Sequence, residues 1–375
     1  MSAVLKPMPV ESFISADSHV VEPADLWLTR MDKRFRDRAP RLEPRENGDY
    51  WVVEGLNTLP IGLFGPMVND KQKGAIERGQ ERRYQETRPG AYNSEARIVD
   101  QRLDHVEAEI IYPGFCLTLF GIPDAEYQRE CIRVYNDWLA EFCGGAPKNL
   151  VGVGMLPLRG PVEWAITEAE RCAKMGLHGL MIPAVKRRPS YHEPIYDQMW
   201  SALEEIGLPV GVHSGADDEP LVIERDIPLH ATVCDNKMFM MQRSLALLLT
   251  SAVPQRYPKL RFVIVEGGIG WIAAQLRFMD HWWEDHHQWM TPKLEEPPSF
   301  YFKRQFWATF EDDRPGILTR HLLGVDRLMW GSDYPHTEGT FPFSIQRIRQ
   351  DFADVPESEV RMMVHDNAAR LYGMS

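Results

Sequence analysis

The chain has 375 residues, 44% of them hydrophobic and 26% charged, with a formal net charge of -12 and a pI near 5.5. That composition suits a well-packed core in one large domain or two ordinary ones. Its acidic balance argues against nucleic-acid binding, because the one short basic run, Lys186-Arg187-Arg188, reads as a solvated loop.

The opening segment MSAVLKPMPVESF has no long apolar stretch of the kind a secretion signal carries. No apolar run approaches the roughly 20 residues of a membrane span. The cysteines, Cys116, Cys131, Cys143, Cys172 and Cys234, are scattered and odd in number, without C-x-x-C spacing. They point to reduced thiols in a cytoplasmic protein.

Short apolar runs then recur: Phe13–Val20, Ala108–Phe115, Leu150–Pro157, Gly179–Ala184, Leu208–Gly215, Arg261–Gly268, Phe306–Phe310 and Leu328–Asp333. Several, such as RFVIVEGG and LPVGVHSG, read as parallel strands buried on both faces. Amphipathic segments of helical length separate them. Residues 124–144 have an acidic first turn and a glycine stop, 161–176 begin at a proline and end at Gly176, and 194–207 repeat the pattern. Residues 236–253 are nearly apolar and are expected to form a buried helix, and the tail from Pro356 to Gly373 reads as a closing helix. Eight strands alternating with helices predict an α/β fold, a closed (β/α)8 TIM barrel in a single domain over residues 1–375. No G-x-G-x-x-G follows the first strand, which weakens a dinucleotide-binding alternative. Residues 28–103, rich in Arg, Glu, Gly and Pro, interrupt the rhythm and are expected to be an insertion after strand 1 that covers the barrel mouth. Loops at 216–235 and 283–305 are further cover candidates.

In a barrel, polar side chains at the C-terminal ends of strands converge on one mouth. Asp17 and His19 end the first strand, and their i, i+2 spacing aims both the same way. His213 ends the fifth, Glu266 the sixth, and Asp333 with His336 the eighth. Singly, each has a plain explanation: a turn cap, a satisfied core histidine, a partner for an arginine. Charged groups are rarely buried unless paired or metal-bound, and four strands carry such groups at the same end. Carboxylates with neutral imidazoles suit zinc, manganese or iron. His230 is a further candidate in its loop.

The motifs SADSHV, GVHSG, VIVEGG, MWGSDYPH and the closing NAARLYG resemble the amidohydrolase superfamily, within it the branch of aminocarboxymuconate-semialdehyde decarboxylases and other non-oxidative decarboxylases. The resemblance runs from residue 13 to about 373 and leaves 28–103 unmatched. It implies a distorted TIM barrel with a divalent metal at its mouth. Asp17, His19, His213 and Asp333 map to the metal ligands. Many relatives have a histidine on strand six where this chain has Glu266. Beside a cation a glutamate's pKa falls, so Glu266 is expected to be a ligand, or a bridge between two metals, rather than a free base. One ion or two fit such a donor set.

Asp333, Glu266 and His336 are the catalytic candidates, for hydrolysis or non-oxidative decarboxylation of a small, carboxylate-bearing molecule. Two other readings stay open: a dinuclear iron or manganese oxygenase, and a metal-binding subunit without activity of its own. Arg187, Arg188 and Arg225 are candidates to clamp a substrate carboxylate, with exposure the plainer expectation for each. Tryptophans crowd the last third, and the stretch 278–290, with His281, His286 and His287, is better explained by aromatic packing or an oligomer contact than by a metal site. A homodimer or a hetero-oligomer with a related subunit is expected.

Overall fold

The computed structural model describes residues 12–64, 82–220 and 229–374. Strand β1 (Phe13–His19) starts the barrel. Strands β2 (Arg41–Arg45), β3 (Gly48–Val52) and β4 (Leu59–Pro60) make a separate antiparallel sheet. Strands β5 (Val106–Tyr112), β6 (Leu150–Met155), β7 (Gly179–Val185), β8 (Val210–Asp217), β9 (Phe262–Val265), β10 (Phe306–Phe310) and β11 (Leu328–Trp330) follow β1 in one eight-stranded parallel sheet whose spatial order is the chain order. All eight runs read from the sequence are strands. Every residue of β1, β6 and β7 is buried, and β6 and β7 accordingly read as unbroken apolar runs.

The sheet curls until its ends meet. Between β11 and β1 the closure runs through the Ser332 N–H to Ser15 Oγ at 2.8 Å and the Asp333 N–H to the Asp17 carbonyl at 2.9 Å. Gly331 permits this approach, since a Cβ there would stand 2.5 Å from the Asp17 Cβ.

The helices pack outside as their patterns predict. Ala125–Gly144 begins where the Asp124 side chain accepts the Tyr127 N–H. Its buried Asn136 accepts the Met155 N–H and donates to the Met155 carbonyl, fastening the helix to β6. Asp197–Ile206 stops at Gly207 with φ 72°, and the tail helix stops at Gly373 with φ 68°. Residues 236–253 depart from expectation. A π-helical turn, Asp235–Phe239, precedes the helix Met240–Thr250, and Lys237 in that turn is only half-buried.

Trp51 of β3 stacks on Phe115 at 4.7 Å and meets Trp27 edge-on at 5.6 Å. Phe115 and Trp27 follow the C-terminal ends of β5 and β1, so the small sheet is anchored on the side of the barrel where those strands end. The stretch 283–305 is not a mouth cover. Its helix Pro298–Gln305 leads into the N-terminal end of β10, and Arg304 and Tyr301 bond to Pro254 and Gln255 ahead of β9.

Candidate metal centre

The mouth is built from strand ends. Asp17, His19, His213 and Asp333 are all at most 1% exposed, and Glu266 is 8% exposed. The His19 Nε2 lies 3.5 Å from Asp17 Oδ1 and 3.3 Å from Asp333 Oδ1, and the His213 Nε2 lies 3.4 Å from Asp17 Oδ1. The His19 ring stacks on His336 at 4.1 Å and meets His213 edge-on at 4.8 Å. Ligand atoms of Asp17, His19 and His213 lie within 4.8 Å of one another, as do those of His19, Asp333 and His336. The sequence-predicted residues from strands separated by up to three hundred positions therefore meet at one point.

The tautomers are fixed. A carbonyl oxygen only accepts, so the His19 Nδ1 must donate to the Pro113 carbonyl at 2.6 Å, and the His213 Nδ1 to the Ser214 carbonyl at 2.8 Å. In the neutral form of each ring that leaves the Nε2 lone pair turned to the centre, the arrangement in which outer contacts orient metal-ligating imidazoles. The His19 Nε2 and both Asp333 carboxylate oxygens are buried without a hydrogen bond. Buried orphans of this kind are costly unless something unwritten in the chain satisfies them, and a divalent cation fits the donor set.

Charge is concentrated here. His336 Nδ1 makes an ion-pair contact with Asp333 Oδ1 at 2.9 Å. Burial pushes the Asp333 carboxyl up, but the His336 and His19 imidazoles outweigh it and hold it well below the usual carboxylate range. Burial presses the His336 imidazole down, and the Asp333 carboxylate overrides this and pushes it up to about 9. Glu266 and Asp333 both sit at positive φ, 57° and 53°, a left-handed backbone that costs a non-glycine residue about 1–2 kcal/mol. The Glu266 N–H is held by Thr309 Oγ1 at 3.0 Å, and the same Thr309 hydroxyl donates to Asp17 Oδ2 at 3.2 Å.

Three contributors are absent from the sequence reading. Lys237 forms an ion pair with Glu266 and lies 3.0 Å from Glu338. Glu311, directly after β10, joins Glu266 and Asp333 in a third group whose ligand atoms lie within 4.8 Å of one another. Burial, then the neighbouring Asp333, push its carboxyl well above the ordinary range. The strand-end rule applied to the seventh barrel strand finds Glu311. Buried Glu22 accepts the N–H groups of Gly114, Phe115 and Cys116 at 3.0–3.1 Å, clasping the loop after β5 to the loop after β1.

Other candidates lie elsewhere. His230 is exposed on the short helix Leu229–Cys234 and joins none of the three ligand groups. Arg187 is committed to Asp217 and Asp218, its Nη1 lying 2.8 Å from Asp218 Oδ1, so its fork is not free for a substrate. Arg188 is exposed, and Arg225 lies outside the described residues. Trp330 is fully buried against Phe13, whereas Trp282 and Trp289 are exposed beyond the mouth's ligand groups.

Comparison with known proteins agrees with the fold. The amidohydrolase family matches residues 79–374. A curated 2-amino-3-carboxymuconate-6-semialdehyde decarboxylase from Dictyostelium discoideum is 21% identical over 265 residues, 68% of this chain and 70% of that protein. Among solved structures, an amidohydrolase from Mycobacterium avium subsp. paratuberculosis K-10 superposes with a TM-score of 0.78 at 21% identity, covering 97% of this chain and 98% of that one. A variant 5-carboxyvanillate decarboxylase from Novosphingobium aromaticivorans, with bound manganese and 3-methoxy-4-hydroxy-5-nitrobenzoic acid, superposes with a TM-score of 0.69 at 18% identity, covering 97% and 98%. With the barrel and the family match together, the chain belongs to the amidohydrolase family.

Proposed function

We propose that the chain is a metal-dependent carboxy-lyase that removes carbon dioxide from a small aromatic or conjugated carboxylic acid without an oxidant. The observation that carries the reading is the set of buried donors converging at the mouth, His19, His213, Asp17 and Asp333, of which His19 Nε2 and both Asp333 oxygens have no hydrogen-bond partner among the described residues. Asp17, His19, His213 and Asp333 would hold a divalent ion, with Glu266 beside them. When bound, such an ion polarises the oxygens of a carboxylate and its neighbouring hydroxyl or carbonyl. Support for decarboxylation over hydrolysis comes from the similar proteins, since a curated relative and a manganese-bound structural neighbour are both decarboxylases.

The chain's own part is to place a proton. Loss of carbon dioxide leaves the electron pair of the broken C–C bond on carbon, and that carbon must gain one proton. The Asp333–His336 pair holds one at the mouth, with the His336 imidazole pushed up to about 9 by the carboxylate beside it. A dication held by the neighbouring residues would oppose that rise and so ease release of the proton. The burial of His19, His213 and Asp333 excludes bulk water from the same point. The small sheet β2–β4, anchored through Trp51 and Phe115, would form one wall over it.

The test is to load the purified chain with manganese or zinc and assay release of carbon dioxide from hydroxylated benzoates and conjugated amino-carboxylates. Release that disappears in Asp333→Asn supports the reading. Turnover of lactones or anilides with no carbon dioxide from any acid would make the chain a hydrolase, and absence of metal uptake would remove the centre altogether.

A further inference from the structure

The ligand groups at the mouth fall into an imidazole-bearing half, two groups joined through His19, and an acidic half that meets it at Asp333. One half holds imidazoles, from His19, His213 and His336. The other is purely acidic: Glu266, Glu311 and Asp333 offer ligand oxygens within 4.8 Å of one another. Two unit charges about 4 Å apart repel by roughly 4 kcal/mol at the effective dielectric of a protein surface. An ion seated among the imidazoles shares only Asp333 with this second half. The acidic trio therefore calls for a proton on one of its members or a cation of its own.

The chain supplies one. Lys237 belongs to the π-helical turn Asp235–Phe239, ahead of the helix Met240–Thr250, and its ammonium pairs with Glu266 of the trio and with Glu338, 3.0 Å away. Glu266 is further occupied by the Ser214 hydroxyl at 2.8 Å. The Asp333 oxygens, fully buried and without a hydrogen bond, are the atoms on which the two halves meet. An acidic trio of this kind would otherwise suit a hard divalent ion such as manganese.

We propose that the Lys237 ammonium is a resident cation standing where a second metal ion would sit, so that the chain binds one metal ion, and that removing this ammonium opens a second metal site on Glu266, Glu311 and Asp333. The inference rests on the metal-centre reading above. It assigns Lys237 a role in setting nuclearity, and it places Glu266 with Lys237 rather than on the first ion.

The experiment measures bound manganese by elemental analysis after equilibration at a fixed free concentration. Parallel electron paramagnetic resonance distinguishes isolated from exchange-coupled Mn(II). Wild type is expected to hold one ion per chain with an uncoupled signal. Lys237→Met is expected to hold two, with a coupled signal, and Lys237→Arg to return to one. Lys237→Gln, which keeps a polar tip without the charge, provides the same reading if the methionine variant does not fold. Two ions in wild type, or one ion in both neutral variants, overturns this inference alone. No ion in wild type overturns it together with the metal-centre reading.

Discussion

The backbone N–H of Asp333 donates to the carbonyl oxygen of Asp17 at 2.9 Å, so the last barrel strand closes on the first through two residues whose carboxylates face the same pocket. Barrel closure and the candidate ion seat are one piece of structure. A cation bound there would tie together both ends of the sheet.

Removal of the ion is therefore expected to loosen that seam. A ligand held at a hundred times its Kd stabilises the folded state by about 2.7 kcal/mol. With an unfolding entropy of roughly 2 cal/mol/K per residue, this amounts to about 3 °C in Tm for a chain of this length. Scanning calorimetry should show that drop on chelation and recovery on re-addition. Asp17→Asn and His213→Asn should show neither, and hydrogen exchange at residues 329–334 should quicken in the stripped protein.

Arg97 is fully buried and clasps Glu109 through Nε at 2.6 Å, while its Nη1 donates to the His19 carbonyl at 2.9 Å. Its guanidinium also lies 4.0 Å from the centroid of the Tyr334 ring, one residue from Asp333. Arg97→Met leaves Glu109 as an uncompensated buried charge and is expected to cost about 3–5 kcal/mol in urea unfolding. Arg97→Met with Glu109→Gln should recover much of that stability. Metal affinity should stay weakened, because the His19 carbonyl has still lost its anchor.

How much of this was legible depends on what a sequence pattern reports. The eight barrel strands were, because burial on both faces writes a short, mostly apolar run. The convergence of Asp17, His19, His213, Glu266 and Asp333 at one end of the barrel was, because an ionisable residue ending such a run contradicts its surroundings. Glu311 was hidden by Asp312 and Asp313, since three successive acids read as a solvated turn; Asp313 in fact caps the next helix through the Gly316 N–H. Lys237 was hidden by the apolar helix behind it. Helical periodicity tells which face is buried, not that the turn before the helix leans over the mouth.

Asp351 provides a pH test away from the centre. Burial, then the nearby Asp312 carboxylate, push its carboxyl up to about 6. The folded state therefore holds this proton more tightly than the unfolded chain, whose aspartate titrates near 3.9. The stability contribution is fully present below about pH 4 and is lost as pH rises through 6. Asp351→Asn is expected to gain about 1–2 kcal/mol at pH 8 and little at pH 4, measured by urea unfolding at each pH.

Thiol chemistry should be confined to one position. Cys116, Cys131, Cys143 and Cys172 are buried and Cys234 is exposed. Burial pushes the four buried thiols up, which keeps them from the reactive thiolate form. Titration of the native protein with a chromogenic disulfide should show one fast equivalent, absent in Cys234→Ser, and the remaining four only after unfolding.

The left-handed backbone at Glu266 and Asp333 places heat resistance and activity in opposition. Glycine accepts that conformation freely, so a laboratory search rewarding thermal survival alone would be drawn to these two positions. If the proposed centre is the active site, a lineage following that gradient would keep its fold and lose its chemistry, and glycine at Asp333 would mark a descendant that no longer turns over substrate.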